Sequence, residues 1–366
     1  PQLLFVYLSN NLLTGVIPTA IGEWTQLHEL YINGNTISGA IPSELYKLTA
    51  LKNISLGDTS LSGSISTQLG LMTNLVLFGA SNCGLVGSLP SEMVNLVRIV
   101  EFDVSYNKLT GTISNDISNL NLMILLDISS NSLTGSIPST LVQCIALEGM
   151  GLVSNSLTGS IPTAIGDLSA LRVIGVGDNS LIGSLPESLY TLSNLVAIDT
   201  SSNLLTGAIS ENIDTFTGLL NLSIYDNVFT GPLPLALYNI NTLETINVAR
   251  NQFTSTVPSG IGSLTKLGSL YLHDNKLSSS IPTEIAFLTK LSTFEIQWNN
   301  FTGVIPPGII NLKAMVTLDV SANQLTGSLD NISFVEMSDL SVLSLSRNEF
   351  RGTFPQSILN LVNLSS

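Results

Sequence analysis

Residues 126–138 read LDISSNSLTGSIP, and this stretch recurs along the whole chain at a fixed interval. Asn131 stands at its centre, and equivalent positions follow one another every 24 residues, with a single interval of 25 before the last. Self-similarity at such a period is typical of a repeat architecture and predicts 15 repeats. Their central residues, called ladder positions below, are Asn11, Asn35, Thr59, Cys83, Asn107, Asn131, Asn155, Asn179, Asn203, Asn227, Asn251, Asn275, Asn299, Asn323 and Asn348.

Apolar residues take fixed places in each repeat and predict a core that neighbouring repeats share. In the seventh repeat, Met150 and Leu152 alternate with outward positions before Asn155, which is the period-2 pattern of a strand. The other inward residues of this repeat are Leu147, Leu157, Ile161, Ile165 and Leu168. One repeat cannot bury such a set alone, so we expect stacked repeats that each cover the next.

The ladder asparagines are expected to satisfy the backbone where the chain turns after each strand. A sharp turn leaves buried N–H and C=O groups in need of partners, and a side-chain amide offers two donors and one acceptor. Replacing Asn155 or Asn203 with alanine is therefore expected to lower the free energy of unfolding by about 1–3 kcal/mol. Thr59 and Cys83 depart from the pattern and are interpreted as structural.

Two further positions favour residues that shape the backbone. Four places after the ladder, Gly occurs in 13 of 15 repeats, which suits a positive φ, and Ser255 and Ser279 are the exceptions. Three places later Pro, which fixes φ and lacks an N–H, begins the outer turn in 11 of 15 repeats. The residues that replace it are Ser66, Ser114, Ser210 and Asp330.

The pattern L-x-x-L-x-L-x-x-N-x-L-x-G-x-I-P, read at residues 171–186 and 195–210, resembles the plant-type extracellular leucine-rich repeat. That family includes the ectodomains of receptor-like kinases and receptor-like proteins, and the polygalacturonase-inhibiting proteins. The resemblance covers essentially the whole chain. It implies an α/β solenoid, a right-handed superhelix with a parallel β-sheet on its concave face and short 3-10 or irregular turns on its convex face.

Length alone suggests two or three domains for 366 residues, but a solenoid extends one domain by adding repeats. We therefore predict a single domain over residues 1–366, made of about 15 repeats of 24 residues. Relatives usually close their ends with paired cysteines, whereas this chain has only Cys83 and Cys144, in different repeats. Both are expected to be buried free thiols, and the chain, without end caps, is interpreted as an excerpt of a longer protein.

Charge and motif content exclude several classes of function. The net charge of −14 argues against nucleic-acid binding and favours a basic partner. No apolar run reaches the roughly 20 residues of a membrane span. His28, His273 and the two cysteines are too dispersed for a metal site, and no nucleophile, phosphate-loop or zinc-protease motif occurs. The chain is therefore predicted to be no enzyme and to hold no cofactor, while a kinase domain beyond it is compatible with the resemblance.

Five Asn-x-Ser/Thr sequons predict N-glycosylation and passage through the secretory pathway. They lie at Asn53, Asn221, Asn300, Asn331 and Asn363. With the family resemblance, they favour an extracellular or cell-surface location and a membrane-anchored full-length protein.

Outward strand positions of neighbouring repeats are expected about 5 Å apart, so equal positions form columns. Repeats 10 to 13 carry large polar and aromatic side chains in these columns, and Tyr, Trp and Arg are enriched in binding hot spots. We predict a ligand-binding surface on the concave or lateral face, formed by Tyr225, Asp226, Asn247, Arg250, Tyr271, His273, Asp274, Glu295, Gln297 and Trp298. A glycan at Asn221 would border it. Scattered surface aromatics without function are the alternative.

Two smaller groups occupy outward positions of repeats 1 and 2 and of repeats 5 and 6. A secondary patch is formed by Phe5, Tyr7, Glu29 and Tyr31. Asp103 and Asp127 share a column, a spacing compatible with glycoside hydrolysis or a cation site. Asp recurs at the same place in other repeats, as Asp199 and Asp319, so solvent-facing carboxylates are the stronger interpretation.

The resemblance and the columns together favour a ligand-binding ectodomain of a receptor-like kinase or receptor-like protein, which captures a peptide, protein or glycan. The alternative is a secreted inhibitor of a cell-wall hydrolase, similar to the polygalacturonase-inhibiting proteins. A lesser alternative is ice binding, because Thr and Ser columns that include Thr110, Thr134 and Thr158 resemble the hydroxyl arrays of ice-binding solenoids. The last alternative is a passive wall or adhesion protein without a saturable partner.

Overall fold

The structure, a computed structural model, describes residues 3–330 and 332–361. The chain folds as two compact units, residues 1–182 and 183–366. Both are built from the same short elements: a main-sheet strand, a flanking strand and a 3-10 helix. Within the described residues, no helix is long and apolar enough to cross a membrane. The single-domain organisation remains a prediction.

A parallel main sheet runs through each unit, with one strand from every repeat. In the first unit its strands are Phe5–Tyr7, Glu29–Tyr31, Asn53–Ser55, Leu77–Gly79, Glu101–Asp103, Leu125–Asp127, Gly149–Gly151 and Val173–Gly175. In the second unit they are Ala197–Asp199, Asn221–Ser223, Thr245–Asn247, Ser269–Tyr271, Thr293–Glu295, Thr317–Asp319 and Val342–Ser344. Equivalent residues pair directly, for example Asn247 with Tyr271 and Tyr271 with Glu295, which confirms the predicted columns.

Flanking strands follow the ladder positions and pair in parallel within each unit. In the first unit they are Thr14–Val16, Thr36–Ala40, Ser60–Ser64, Gly84–Ser88, Lys108–Thr110, Thr134–Ser136, Ser156–Gly159 and Ser180–Gly183. In the second they are Leu204–Gly207, Val228–Pro232, Gln252–Thr254, Ser278–Ser280, Asn300–Gly303 and Gln324–Leu325.

Short 3-10 helices form the outer side of the repeats, as the resemblance implies. In the first unit they are Thr19–Glu23, Leu45–Lys47, Thr67–Leu71, Ser91–Asn95, Asn115–Asn119, Ser139–Gln143 and Ile165–Asp167. In the second they are Glu187–Thr191, Glu211–Thr215, Leu235–Asn239, Ser259–Ser263, Thr283–Phe287, Pro307–Asn311, Phe334–Glu336 and Gln356–Asn360. The core lies between these helices and the sheets, and the predicted inward residues of the seventh repeat are at most 1% exposed.

The ladder asparagines bind the backbone as predicted. The Asn155 amide nitrogen donates to the carbonyls of Leu152 and Val153 in its own repeat and of Ile128 in the preceding one, at 3.1–3.3 Å. Its oxygen accepts the backbone N–H of Leu133 at 3.0 Å. One side chain thus satisfies four backbone groups in two repeats, and repeating this arrangement keeps the repeats in register.

Thr59 and Cys83 interrupt this ladder. Both donate to the carbonyl of Leu56, and their side chains contact each other at 3.3 Å. Within the described residues, neither accepts a backbone N–H from the preceding repeat. The prediction that both cysteines are buried is wrong for Cys83, which is half-buried although the neighbouring ladder residues Thr59 and Asn107 are buried. Cys144 is fully buried, and burial raises the pKa of its thiol to about 11.

Serine in place of proline brings a hydrogen bond that proline cannot make. The backbone N–H of Ser66 donates to the hydroxyl of Tyr46, and that of Ser210 to Tyr190, at 3.2–3.3 Å. Both tyrosines are buried, and burial raises the pKa of Tyr190 to about 12. The Ser66 and Ser210 hydroxyls also accept an N–H from the 3-10 helix that each precedes. The replacements at Ser66 and Ser210 are therefore matched to tyrosine partners 20 residues earlier.

We expect Asn155→Ala to lower the free energy of unfolding by about 1–3 kcal/mol, because it orphans buried backbone groups in two repeats. Asn11→Ala is the matched control, since the Asn11 amide is exposed and donates only to carbonyls of its own repeat. Urea denaturation of both variants measures the difference. Equal, small losses in the two variants would contradict the role assigned to the ladder.

Candidate ligand-binding surface

The predicted surface lies in the second unit, on the outward positions of its main sheet and on the turns that follow. Tyr271 lies between Asn247 and Glu295 in one column of paired strand residues. The strands are three residues long, so each presents only two outward side chains before the chain turns toward the ladder. The ladder bonds consequently fix the backbone from which these side chains project.

A polar network connects four of the predicted residues. The His273 Nδ1 lies 2.9 Å from Asp274 Oδ2, and its Nε2 lies 3.9 Å from Glu295 Oε2. Gln297 Nε2 donates to the same Glu295 carboxylate at 3.2 Å. The other atom of this amide, Gln297 Oε1, is buried without a partner. Such an acceptor is costly unless a donor from water or a ligand reaches it.

The remaining predicted residues are less connected. Tyr225 is half-buried, and Ala249 separates it from His273 in their column. Among the residues that the structure describes, the Asp226 carboxylate receives only a long hydrogen bond, 3.5 Å, from the Ser202 hydroxyl. Arg250 stands between Asp226 and Asp274, yet within the described residues it forms no ion pair closer than 4.0 Å. The structure therefore groups the ten residues into a bonded centre and a freer rim.

Arg347 belongs to this surface but was not predicted from the sequence. Its guanidinium carbon lies 5.0 Å from the centre of the Trp298 ring, within the range of a cation–π contact. Trp298, Ala322 and Arg347 occupy the same place in successive repeats, immediately before the ladder. Following that column two repeats further would have found the arginine.

This column also carries a backbone constraint. The residue before the ladder has a positive φ in all 15 repeats, a conformation that Gly, Asn and Asp tolerate best. Most repeats use these residues or Ser, whereas Tyr106, Arg250, Trp298 and Arg347 are large. The left-handed backbone at each of these four positions lowers the free energy of unfolding by about 1–2 kcal/mol. Three of the four lie in the candidate surface. Residues kept in such a conformation against local preference concentrate at functional sites.

The secondary patch forms a small aromatic cluster in the first unit. The Tyr7 hydroxyl donates to Glu29 Oε2 at 2.6 Å, and this bond raises the pKa of Tyr7. Phe5 stacks on Tyr7 with ring centres 6.4 Å apart, and Tyr31 lies 5.5 Å from Tyr7. His28, which was not predicted here, joins at 6.2 Å from Phe5.

The aspartates at the repeated strand position bind their own backbone rather than face water freely. Asp103 Oδ1 accepts the backbone N–H and the hydroxyl of Ser105, and Asp127 accepts the N–H of Ser129. Asp199 and Asp319 make the same bond two residues on. Their recurrence is therefore explained by turn capping, and these half-buried carboxylates face solvent only in part. Within the described residues, no group of three or more potential ligand residues is placed to hold a metal ion.

Three of the sequons fall in described strands. Asn53 and Asn221 begin main-sheet strands, and Asn300 begins a flanking strand. Asn221 is exposed, and a glycan there would border the candidate surface, which stays a prediction. Asn331 and Asn363 lie outside the described residues.

The hydroxyl columns follow the flanking strands. Thr134 is paired with Ser156, and Ser136 with Thr158, so the rows run obliquely across the repeats. The Thr134 and Thr158 hydroxyls donate to the carbonyls of Gly111 and Gly135 in the preceding repeat, at 3.1 and 3.3 Å. Their orientation is thereby set by the backbone.

Comparison with known sequences identifies the repeat. The profile of the Leucine Rich Repeat family matches residues 2–24, 26–48, 98–120, 123–144, 242–264, 266–288 and 339–361. No curated protein sequence matches the chain.

Several of the similar solved structures are receptors, and some of these are plant receptors. The TDR receptor matches with a TM-score of 0.89 and 30% identity, over 98% of this chain and 66% of that one. The Arabidopsis receptor kinase HAESA, in complex with the peptide hormone IDA and the co-receptor SERK1, matches with a TM-score of 0.73 and 28% identity. This match covers 99% of this chain and 70% of that one. The chain thus spans just under two thirds of the TDR structure. A plant ice-binding protein matches with a TM-score of 0.55 and 25% identity, over 74% of this chain and 79% of that one.

We expect Arg250→Asn to raise the free energy of unfolding by about 1 kcal/mol, because Asn tolerates the left-handed backbone at φ 52°. Arg172→Asn is the control, since Arg172 is also exposed but does not have a positive φ. Thermal and urea unfolding of the two variants provide the comparison. A gain in stability in both variants, or in neither, would show that Arg250 does not destabilise the chain through backbone strain.

Proposed function

We propose, on the premise that this chain is a leucine-rich repeat protein, that it is a ligand-binding part of an extracellular receptor ectodomain and captures a peptide ligand on its second unit. The ligand would lie across the columns of Tyr225, Tyr271 and Trp298. The full-length protein would be a receptor-like kinase or receptor-like protein anchored in the membrane. The observation that carries this proposal is the concentration of large, strained and polar side chains on the outward face of four successive repeats.

The character of these residues supports a peptide as the ligand. Tyr271 and Trp298 offer rigid aromatic surfaces, which dominate binding hot spots. Glu295 and Gln297 add hydrogen-bonding groups that can bind both a backbone amide and a charged side chain of a peptide. The HAESA structure contains a peptide hormone, so binding of an extended peptide is compatible with this architecture. A glycan or a basic protein would use the same acceptors and is the alternative ligand.

Binding would draw on preorganisation. The ladder bonds hold each strand, and the contacts among His273, Asp274, Glu295 and Gln297 hold their side chains before a ligand arrives. Association costs free energy mainly by immobilising groups, so a surface that is already ordered retains more of its contact energy. The network would thus orient the Glu295 carboxylate toward a donor of the ligand.

The double substitution Tyr225→Ala and Tyr271→Ala tests the site. Peptides are first selected from a phage-displayed library on the wild-type chain, and the affinity of a synthetic copy is measured by calorimetry. We expect the dissociation constant to rise at least tenfold, which corresponds to about 1.4 kcal/mol. Phe287→Ala is the control, because Phe287 is 62% exposed in the same unit but lies on a 3-10 helix.

Two outcomes would count against this proposal. If the selected peptides bind the double variant and the wild type equally, the site is elsewhere. If the chain selects no peptide but binds a basic hydrolase with an association rate that falls steeply with salt, the inhibitor alternative is favoured instead.

The flanking strands favour ice binding as a second candidate function. Their hydroxyls repeat at the strand spacing and are oriented by bonds to backbone carbonyls, and one structural neighbour is a plant ice-binding protein. Thermal hysteresis of the purified chain is the direct measurement. For an ice-binding face, Thr158→Lys should abolish the hysteresis and Ser223→Lys, on a main-sheet strand, should preserve it. A freezing curve identical to that of buffer removes this candidate.

A further inference from the structure

The stacked pair of Trp298 and Arg347 carries donors that the protein itself does not use. The Arg347 guanidinium carbon lies 5.0 Å from the ring centre, Arg347 is exposed, and Trp298 is 53% exposed. Within the described residues, no carboxylate lies within 4.0 Å of the guanidinium. In a chain with a net charge of −14, an exposed arginine that is held in place without a carboxylate partner requires an explanation.

The backbone explains how the pair meets across an intervening repeat. Trp298 and Arg347 both have left-handed backbone, with φ of 57° and 54°, and so does Ala322 between them. The N–H of Trp298 donates to Ser321 O, and the N–H of Ala322 donates to Ser346 O, at 3.2 and 2.9 Å. Alanine at the middle position leaves space for the two long side chains to reach each other.

The outward carboxylate of the intervening repeat does not compete for the guanidinium. Asp319 Oδ1 accepts the backbone N–H of Ser321 at 2.9 Å, so this group is turned toward its own chain. Stacking on an aromatic face uses the flat side of a guanidinium and leaves the N–H groups at its edge available. That edge matches the planar pair of oxygens of an oxyanion and can bind it with two parallel hydrogen bonds.

We propose that Arg347, supported by Trp298, is a binding subsite for an oxyanion of a ligand, namely a carboxylate, sulfate or phosphate group. Trp298 holds the guanidinium in one orientation, which reduces the ordering cost of binding. Both residues keep a backbone conformation that Asn or Gly would adopt more easily. A role that needs both side chains accounts for their presence at these two strained positions.

Fluorescence of Trp298 tests the subsite with small anions as probes. In a Trp24→Phe background, which leaves Trp298 as the single tryptophan, sodium sulfate, phosphate and acetate are each titrated against sodium chloride at constant ionic strength. We expect a saturable change with a millimolar dissociation constant for at least one anion. The order of affinity among the three anions distinguishes the sources of the oxyanion.

Three variants link the signal to the geometry. Arg347→Ala should abolish saturation, and Arg347→Lys should weaken binding several-fold, since an ammonium cannot form the paired hydrogen bonds. Ala322→Glu places a carboxylate between the two side chains and should weaken binding at least tenfold. Ser154→Glu is the matched control and should bind as the parent does, because it makes the same charge change at an equivalent left-handed position of the first unit.

The proposal is overturned if no anion gives saturation, if chloride gives the same response, or if the response survives in Arg347→Ala. Circular dichroism of each variant establishes that it is folded. Because the probes are small anions, this subsite stands or fails independently of whether a peptide binds at Tyr225 and Tyr271.

Discussion

A single side-chain amide that satisfies four backbone groups in two repeats is the constraint on which the rest of the structure depends. The repeats are only 24 residues long, and each must turn sharply after a three-residue strand. Without the amide, the turn would bury unpaired N–H and C=O groups at every repeat. With it, the strands stack at the same register throughout a unit, and the apolar residues between sheet and 3-10 helices close into a continuous core. Where the amide is missing, at Thr59 and Cys83, the two replacements contact each other instead.

The same turn sets the conditions for function. It requires a left-handed residue just before each ladder position, so any large side chain there reduces stability. The first unit carries one such residue, Tyr106, whereas the second carries Arg250, Trp298 and Arg347. The scaffold is thus nearly uniform, and most of its large left-handed residues lie in the second unit. This division is what a repeat protein needs to bind a specific ligand, because the outward columns can change without disturbing the core.

Two of the four replacements of the repeat proline are compensated by partners in the preceding repeat. Serine replaces proline at Ser66 and Ser210, and the N–H that this exposes is taken up by the hydroxyl of Tyr46 or Tyr190. Each serine and its tyrosine partner are separated by 20 residues in the sequence but adjacent in space. Asp103 and Asp127 also serve the backbone, because their carboxylates accept N–H groups of their own turns. Groups that look like candidates for chemistry are, in this fold, part of the backbone hydrogen bonding.

The sequence by itself determined the period, the inward residues, the ladder role of the asparagines and the columns of outward side chains, because each follows from a strict 24-residue repeat. It also placed Asn247, Tyr271 and Glu295 in one column. Only the tertiary structure decided which side chains touch. The network around Glu295 depends on side-chain rotamers, and the contact of Trp298 with Arg347 spans two repeats. Periodicity specifies the path of the backbone, whereas these contacts depend on side-chain length and direction, which no repeat pattern encodes.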